Sequence, residues 1–231
     1  MSSPAHRRRI VVLALTLGLA VAAPVALGGS AAAQEPVTAG PAVDAGDVVV
    51  VAADDPARAL EGGGSATEFT LRPPLDASCP GDSASENWRI SSFIIPAADD
   101  PAELVIGPFA PEGDGRWPLY KANTSAYINE ALEQDFERGN PARILPLPPL
   151  SFGVFPTEIL PPGRYTVGLV CSQWKVADRY WDAEIVITED PADEPGRFRW
   201  SVVDPPEGAS SADTDDAATS LWWWLGGAGV L

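Results

Sequence analysis

The sequence contains one histidine, His6, and it falls in a segment whose make-up marks it for removal. A mature chain starting after that segment has no imidazole. Ser-His-Asp and Cys-His catalysis are then excluded, because both need imidazole to carry the proton. His-ligated zinc, copper and non-haem iron sites go with them. Cysteine is scarce too: Cys79 and Cys171 are the whole complement, too few for a four-thiolate zinc site. Basic charge is the third shortage. The chain carries 15 Lys and Arg against 32 Asp and Glu, a net of −17. Taking away Arg7, Arg8 and Arg9 with the leader leaves 12 against 32, a net of −20. Such a surface repels phosphate backbones, so nucleic acid is not expected as a partner. It also opposes adsorption to anionic lipid unless a separate apolar anchor intervenes.

What is present begins with an export signal. Arg7 to Arg9 form a positive start, and Ile10 to Leu27 is apolar apart from Thr16, Gly18 and Pro24. Ala31-Ala32-Ala33 then supplies a small-residue cleavage site, with Gln34 as the new N-terminus. The expectation is a signal peptide over residues 1–33. The alternative is an uncleaved anchor, since the apolar run approaches spanning length. No cysteine follows the run, which excludes a lipidated N-terminus. In an oxidising compartment Cys79 and Cys171 most simply form one disulfide, worth roughly 3–5 kcal/mol in the chain-entropy model. A free thiol is the alternative.

Residues 34–46 are rich in Pro, Ala and Gly and read as a flexible leader. Residues 47–203 carry a β signature. Strands are expected at Asp47–Ala52, Thr67–Arg72, Trp88–Ile95, Leu104–Ile106, Ser151–Phe155, Arg164–Ser172, Tyr180–Thr188 and Phe198–Val202. Glu61 to Ser65, with three glycines, reads as a loop. In the strand after Leu160-Pro161-Pro162-Gly163, the residues Tyr165, Val167, Leu169 and Cys171 share a face, which puts Cys171 in the core. Short strands with Gly and Pro punctuation are the pattern of an all-β antiparallel sandwich. One segment breaks the period. Ser125 to Arg138 has Ile128, Leu132 and Phe136 near helical spacing, then Gly139 and Pro141 as a stop, so a short helical insertion is expected.

The run from Leu160-Pro161-Pro162-Gly163-Arg164-Tyr165-Thr166-Val167 through Cys171, with Ile185-Val186-Ile187-Thr188, resembles the closing strands of bacterial immunoglobulin-like domains. Members of the fibronectin type III and polycystic-kidney-disease groups show a Pro-Gly-x-Tyr-x-Val pattern there. The Ala/Asp/Pro-rich composition is similar to that of exported actinobacterial immunoglobulin-like proteins. The resemblance implies an immunoglobulin-like β-sandwich and no particular activity. The chain departs from the antibody pattern in one respect: Tyr165 stands six residues before Cys171 rather than two.

Residues 204–220 are acidic and lack core-forming side chains, which suits a disordered stalk. Residues 221–231 follow, with Trp222, Trp223 and Trp224 suited to a membrane–water interface. As a helix this segment reaches about 16 Å, while the hydrocarbon core is about 30 Å thick. It reads as the start of a membrane anchor in a truncated chain. Docking of these residues on the domain is the alternative.

Few constellations carry chemistry. Asp54-Asp55-Pro56-Ala57 recurs as Asp99-Asp100-Pro101-Ala102, but neither has the spaced oxygens of a calcium loop. No metal or cofactor is expected, and no catalytic residue is assigned. Among the carboxylates, Asp182 and Glu184 share one strand face, the arrangement nearest to an acid–base pair. Trp88, Trp117, Trp174 and Trp181 either pack the core or stack on sugar rings. Trp117 and Trp174 are the candidate glycan-stacking residues, Trp174 because it falls in a loop after Cys171. The expected role is a non-enzymatic cell-surface or secreted display and adhesion module. Its partner would be a surface protein or the cell envelope. The alternative is a carbohydrate-binding sandwich that holds a polysaccharide on exposed tryptophans.

Overall fold

Tyr165, Val167, Leu169 and Cys171 alternate with Thr166, Gly168, Val170 and Ser172, and all eight are buried. A strand with both faces covered belongs in the middle of a structure, and the protein is built around it. The computed structural model describes residues 40–122, 124–132, 141–189 and 197–212. The strands are β1 (Val43–Asp47), β2 (Val49–Ala52), β3 (Leu60–Gly64), β4 (Phe69–Arg72), β5 (Ser78–Cys79) and β6 (Trp88–Pro96). After them come β7 (Tyr120–Lys121), β8 (Ala142–Arg143), β9 (Leu150–Ser151), β10 (Gly163–Gln173), β11 (Val176–Glu189), β12 (Phe198–Val202) and β13 (Ser210–Ala212). One sheet runs β13-β3-β12-β11-β10-β6, with β1 added alongside β11. The second runs β2-β4-β9-β7, and β5 with β8 forms a small ladder. Pairing is antiparallel except for β1 on β11 and β13 on β3. Neither sheet closes into a barrel. The protein is all-β, with two antiparallel sheets over a shared core, consistent with a sandwich.

That core takes the inward side chains of both sheets. Phe69 and Leu71 of β4 meet Val167, Leu169, Trp181, Ile185 and Ile187 of the larger sheet. Aromatic rings link the layers: Phe69 lies 4.9 Å from Phe152 and 5.3 Å from Trp200, centroid to centroid. Burial at about 25 cal/mol per Å² makes such rings the largest single contributors to the core. Cys79 and Cys171 form the disulfide, with Cα atoms 5.5 Å apart and both residues fully buried. It ties the β5–β8 ladder to β10. The outer face of the larger sheet carries a second, smaller core of Phe93, Ile95, Val170, Ala177 and Tyr180, covered by Leu104, Ile106 and Ala42.

Several expectations are corrected. The helix expected over Ser125–Arg138 is absent from its described part; residues 125–132 run beside β6, and 133–140 lie outside the described residues. Ile90 and Glu130 exchange backbone hydrogen bonds of 2.9 and 3.1 Å, and Ser92 N–H donates to Tyr127 O at 2.9 Å. The edge of β6 would otherwise leave buried backbone groups unpaired, and that demand outweighs local helix spacing. Ile128 and Leu132 consequently pack against different cores. Serines complete the seam: Ser92 Oγ accepts from Leu119 N–H, and Ser91 Oγ from Asn129 N–H, both at 2.9 Å. The one helical element among the described residues is a 3-10 turn, Pro101–Glu103.

Glu61 to Gly64, expected in a loop, is part of strand β3. A Cβ on Gly62 would lie 2.2 Å from Trp200 O, so the adjoining strand β12 approaches the bare backbone. Leu104 to Ile106 makes isolated bridges, Val105 with Val176 and Ile106 with Pro111, rather than a strand. Order also begins and ends beyond the expected limits. Residues 40–46, assigned to the leader, include most of β1, and β13 falls in the expected stalk. The signal peptide at 1–33 and the apolar segment with Trp222, Trp223 and Trp224 lie outside the described residues.

Candidate functional site

Strands β10 and β11 are joined by a two-residue turn, Trp174-Lys175, since Gln173 pairs with Val176. Trp174 adopts a left-handed backbone, φ 57°, and its side chain is 74% exposed. A second tight loop lies beside it. Ile106 bridges to Pro111, Gly107 N–H donates to Ala110 O at 2.9 Å, and Phe109 at the tip is 83% exposed. The two loops are tied together, with Ile106 N–H donating to Lys175 O at 3.1 Å and Lys175 Nζ to Glu112 Oε1 at 2.5 Å.

Between them opens a cleft of about 390 Å³. Trp174, Ile106 and Pro108 give it apolar walls, and Asn87, Arg89, Asn129 and Lys175 give it polar ones. Asn87 and Asn129 are also left-handed, with φ of 62° and 53°. Among the described residues, three of the five left-handed ones other than glycine therefore line one cleft. Asparagine visits this region easily, but tryptophan does not. Asn129 is fixed by its Nδ2, which donates to Gly107 O at 2.9 Å and Pro108 O at 3.1 Å. Asn87 Oδ1 accepts from Arg89 Nη2 at 3.2 Å. Among the described residues, the Oδ1 of Asn129 and the Nδ2 of Asn87 make no hydrogen bond, so an acceptor and a donor remain for a ligand.

The two candidate stacking residues thus part company. Trp174 stands over the cleft, whereas Trp117 is half-buried against the inter-sheet core and does not line it. Backbone pairing explains Trp117: it exchanges hydrogen bonds of 2.8 and 3.0 Å with Ile94. Trp181 is 2% exposed, and Trp88 is half-buried on the same core. The polar partners of Trp174 were missed in the sequence, because they come from three separate segments. The signal present was the Trp-Lys pair in a place where a hairpin turn prefers Asn or Gly.

Asp182 and Glu184 sit in opposite electrostatic surroundings. Arg164 hydrogen-bonds and ion-pairs with Glu184, which holds that carboxyl below its usual range. Burial, and then the nearby Asp44 and Asp47, push the Asp182 carboxyl up to about 6. The arginine engages Glu184, and the carboxylates nearest to Asp182 are instead Asp44 and Asp47 of β1. No protein-family model, curated protein or solved structure matches the chain.

Proposed function

We propose that the chain is an exported immunoglobulin-like β-sandwich serving as a non-enzymatic display or adhesion module at the cell surface. It engages its partner, a surface protein or the envelope polysaccharide, through the cleft under Trp174. One observation carries this reading: a large aromatic side chain stands in solvent on a left-handed turn. The backbone conformation costs about 1–2 kcal/mol, and the exposed ring forgoes about 1.5–3 kcal/mol of burial. A turn residue free of both penalties is readily available, so the indole is best explained by a contact made outside the molecule.

Other features support the compartment and the fold. The disulfide suits an oxidising environment. Residues 1–33 would direct export, and the apolar segment at 221–231 would tether the product to a membrane. The Tyr165 hydroxyl donates to Pro161 O at 2.7 Å, across the turn that opens β10. A corner of this kind, with a tyrosine bonded back to backbone a few residues upstream, recurs in immunoglobulin sandwiches. The disulfide departs from the antibody arrangement, because it reaches a separate ladder rather than the opposite main sheet. Carbohydrate is the second reading, favoured by the free amide groups of Asn87 and Asn129 beside the indole.

The test is Trp174→Gly in the full chain, assayed for binding to isolated cell envelopes and to purified surface polysaccharides. Glycine accepts the left-handed turn, so the variant is expected to melt no lower than the parent while losing at least about tenfold in binding. Undiminished envelope binding by a folded Trp174→Gly protein would remove the cleft from the reading.

A further inference from the structure

We propose that the cleft under Trp174 is a subsite for an acidic saccharide, with the indole against the sugar ring and Arg89 on its carboxylate. This names a ligand class for the binding module proposed above and rests on that reading.

Charge is the first observation. In a chain of net −17, the described cations are largely taken up by carboxylates: Arg58 by Asp54, Arg116 by Asp99, Lys175 by Glu112 and Arg179 by Asp178, at 2.5–3.0 Å. Arg89 is different. Among the described residues its guanidinium bonds only to the neutral Asn87 Oδ1. A half-buried arginine with no carboxylate partner among the described residues, in a protein with a twofold excess of carboxylates, is suited to an external anion. Guanidinium matches a carboxylate in plane and can bind it with two parallel hydrogen bonds.

Placement is the second. Arg89 is the direct cross-strand partner of Ser172, two residues before Trp174, so cation and indole belong to one corner of the sheet. Cross-strand partners share a face, which puts the Ser172 hydroxyl on the side of Arg89. Ser172 itself is fully buried and lies behind the cleft rather than in its lining. The polar side chains that do line it, Asn87, Arg89 and Asn129 beside the Trp174 indole, suit a ring that bears hydroxyls on its rim and C–H groups on its face.

Size is the third. A cleft of about 390 Å³ falls in the range of small-ligand sites, about 300–1,000 Å³. A stable protein interface needs about 800 Å² from each partner, so a protein would find only part of its footprint here.

The probes are short oligosaccharides of galacturonate and hyaluronate, which limit long-range repulsion from a chain of net −17, each beside its methyl ester, which keeps the sugar backbone and removes the charge. Affinity electrophoresis or calorimetry of the full chain is expected to show about tenfold preference for the acid form, falling as salt rises. Arg89→Gln is expected to erase that preference, and Trp174→Gly to weaken every glycan. The salt dependence of the parent protein tests the charge contact even if Arg89→Gln folds poorly. Equal binding of acid and ester, still lost in Trp174→Gly, overturns the acidic ligand and leaves the binding module standing. Binding of poly-glutamate or of a surface protein without either acidic glycan overturns the saccharide. No retention of either acidic glycan overturns it as well.

Discussion

Asp182 lies on the outer face of β11, opposite Gly168 of β10 and Asp47 of β1, with Asp44 of β1 close by and Tyr180 and Glu184 flanking it. Its carboxyl titrates near 6, chiefly through burial, so the folded protein holds a proton that an unfolded aspartate loses near about pH 4. The resulting stability is complete below about pH 4 and is lost as pH rises through about 6. Asp182→Asn cannot ionise, and is expected to melt higher than the parent at pH 7.5 and alike at pH 3.5. Identical melting at both pH values would show that β1 does not crowd this carboxylate. Strand alternation marked Asp182 only as a neighbour of Glu184; its crowding by Asp44 and Asp47 was illegible because they come from a strand far away in the chain. Trp174 and Trp117 teach the same lesson. Residue type made both candidates, a loop position favoured Trp174, and the pairing of Trp117 with Ile94 separated them.

Alternation of side chains made β4, β6, β10, β11 and β12 legible, including the inward face of Tyr165, Val167, Leu169 and Cys171. Strand β3 was illegible for a physical reason: glycine has no side chain, so three in a row show no period. Their role is spatial. Gly62 admits the β12 backbone, whereas a Cβ on Gly64 would meet nothing within 4 Å. Gly62→Ala is therefore expected to destabilise by about 1–3 kcal/mol. Gly64→Ala should change little, with denaturant midpoints as the measure. Equal midpoints for the two variants would mean that the β3–β12 approach is not tight. The two-residue strands β5, β7 and β8 are too short to display any period. In its described part the expected helix gave way because Ile128 and Leu132, near helical spacing, also fit an irregular chain that visits two cores in turn.

At the scale of the molecule, the one disulfide joins residues 92 apart in sequence, and the core is assembled from segments at both ends of the described chain. Closing a loop of that length is worth about 4–5 kcal/mol in the chain-entropy model. Replacing both Cys79 and Cys171 by Ser is expected to lower stability by most of that amount, read from urea unfolding. A loss under about 1 kcal/mol would mean that the unfolded chain is already compact. The pairing of these two cysteines was legible from their number alone, but their anchorage in a separate ladder was not. In covalent terms the chain is a ring with two tails. The ring contains β6 and the tight loop bearing Phe109, while Trp174 stands on a tail three residues past the knot. A protease cut anywhere between residues 80 and 170 opens the ring without dividing the molecule. The two pieces travel as one species until a reductant is added, and the tip bearing Trp174 stays joined to the N-terminal half. Outside a cell, where proteases are common and reductants are not, a nicked copy keeps its parts together.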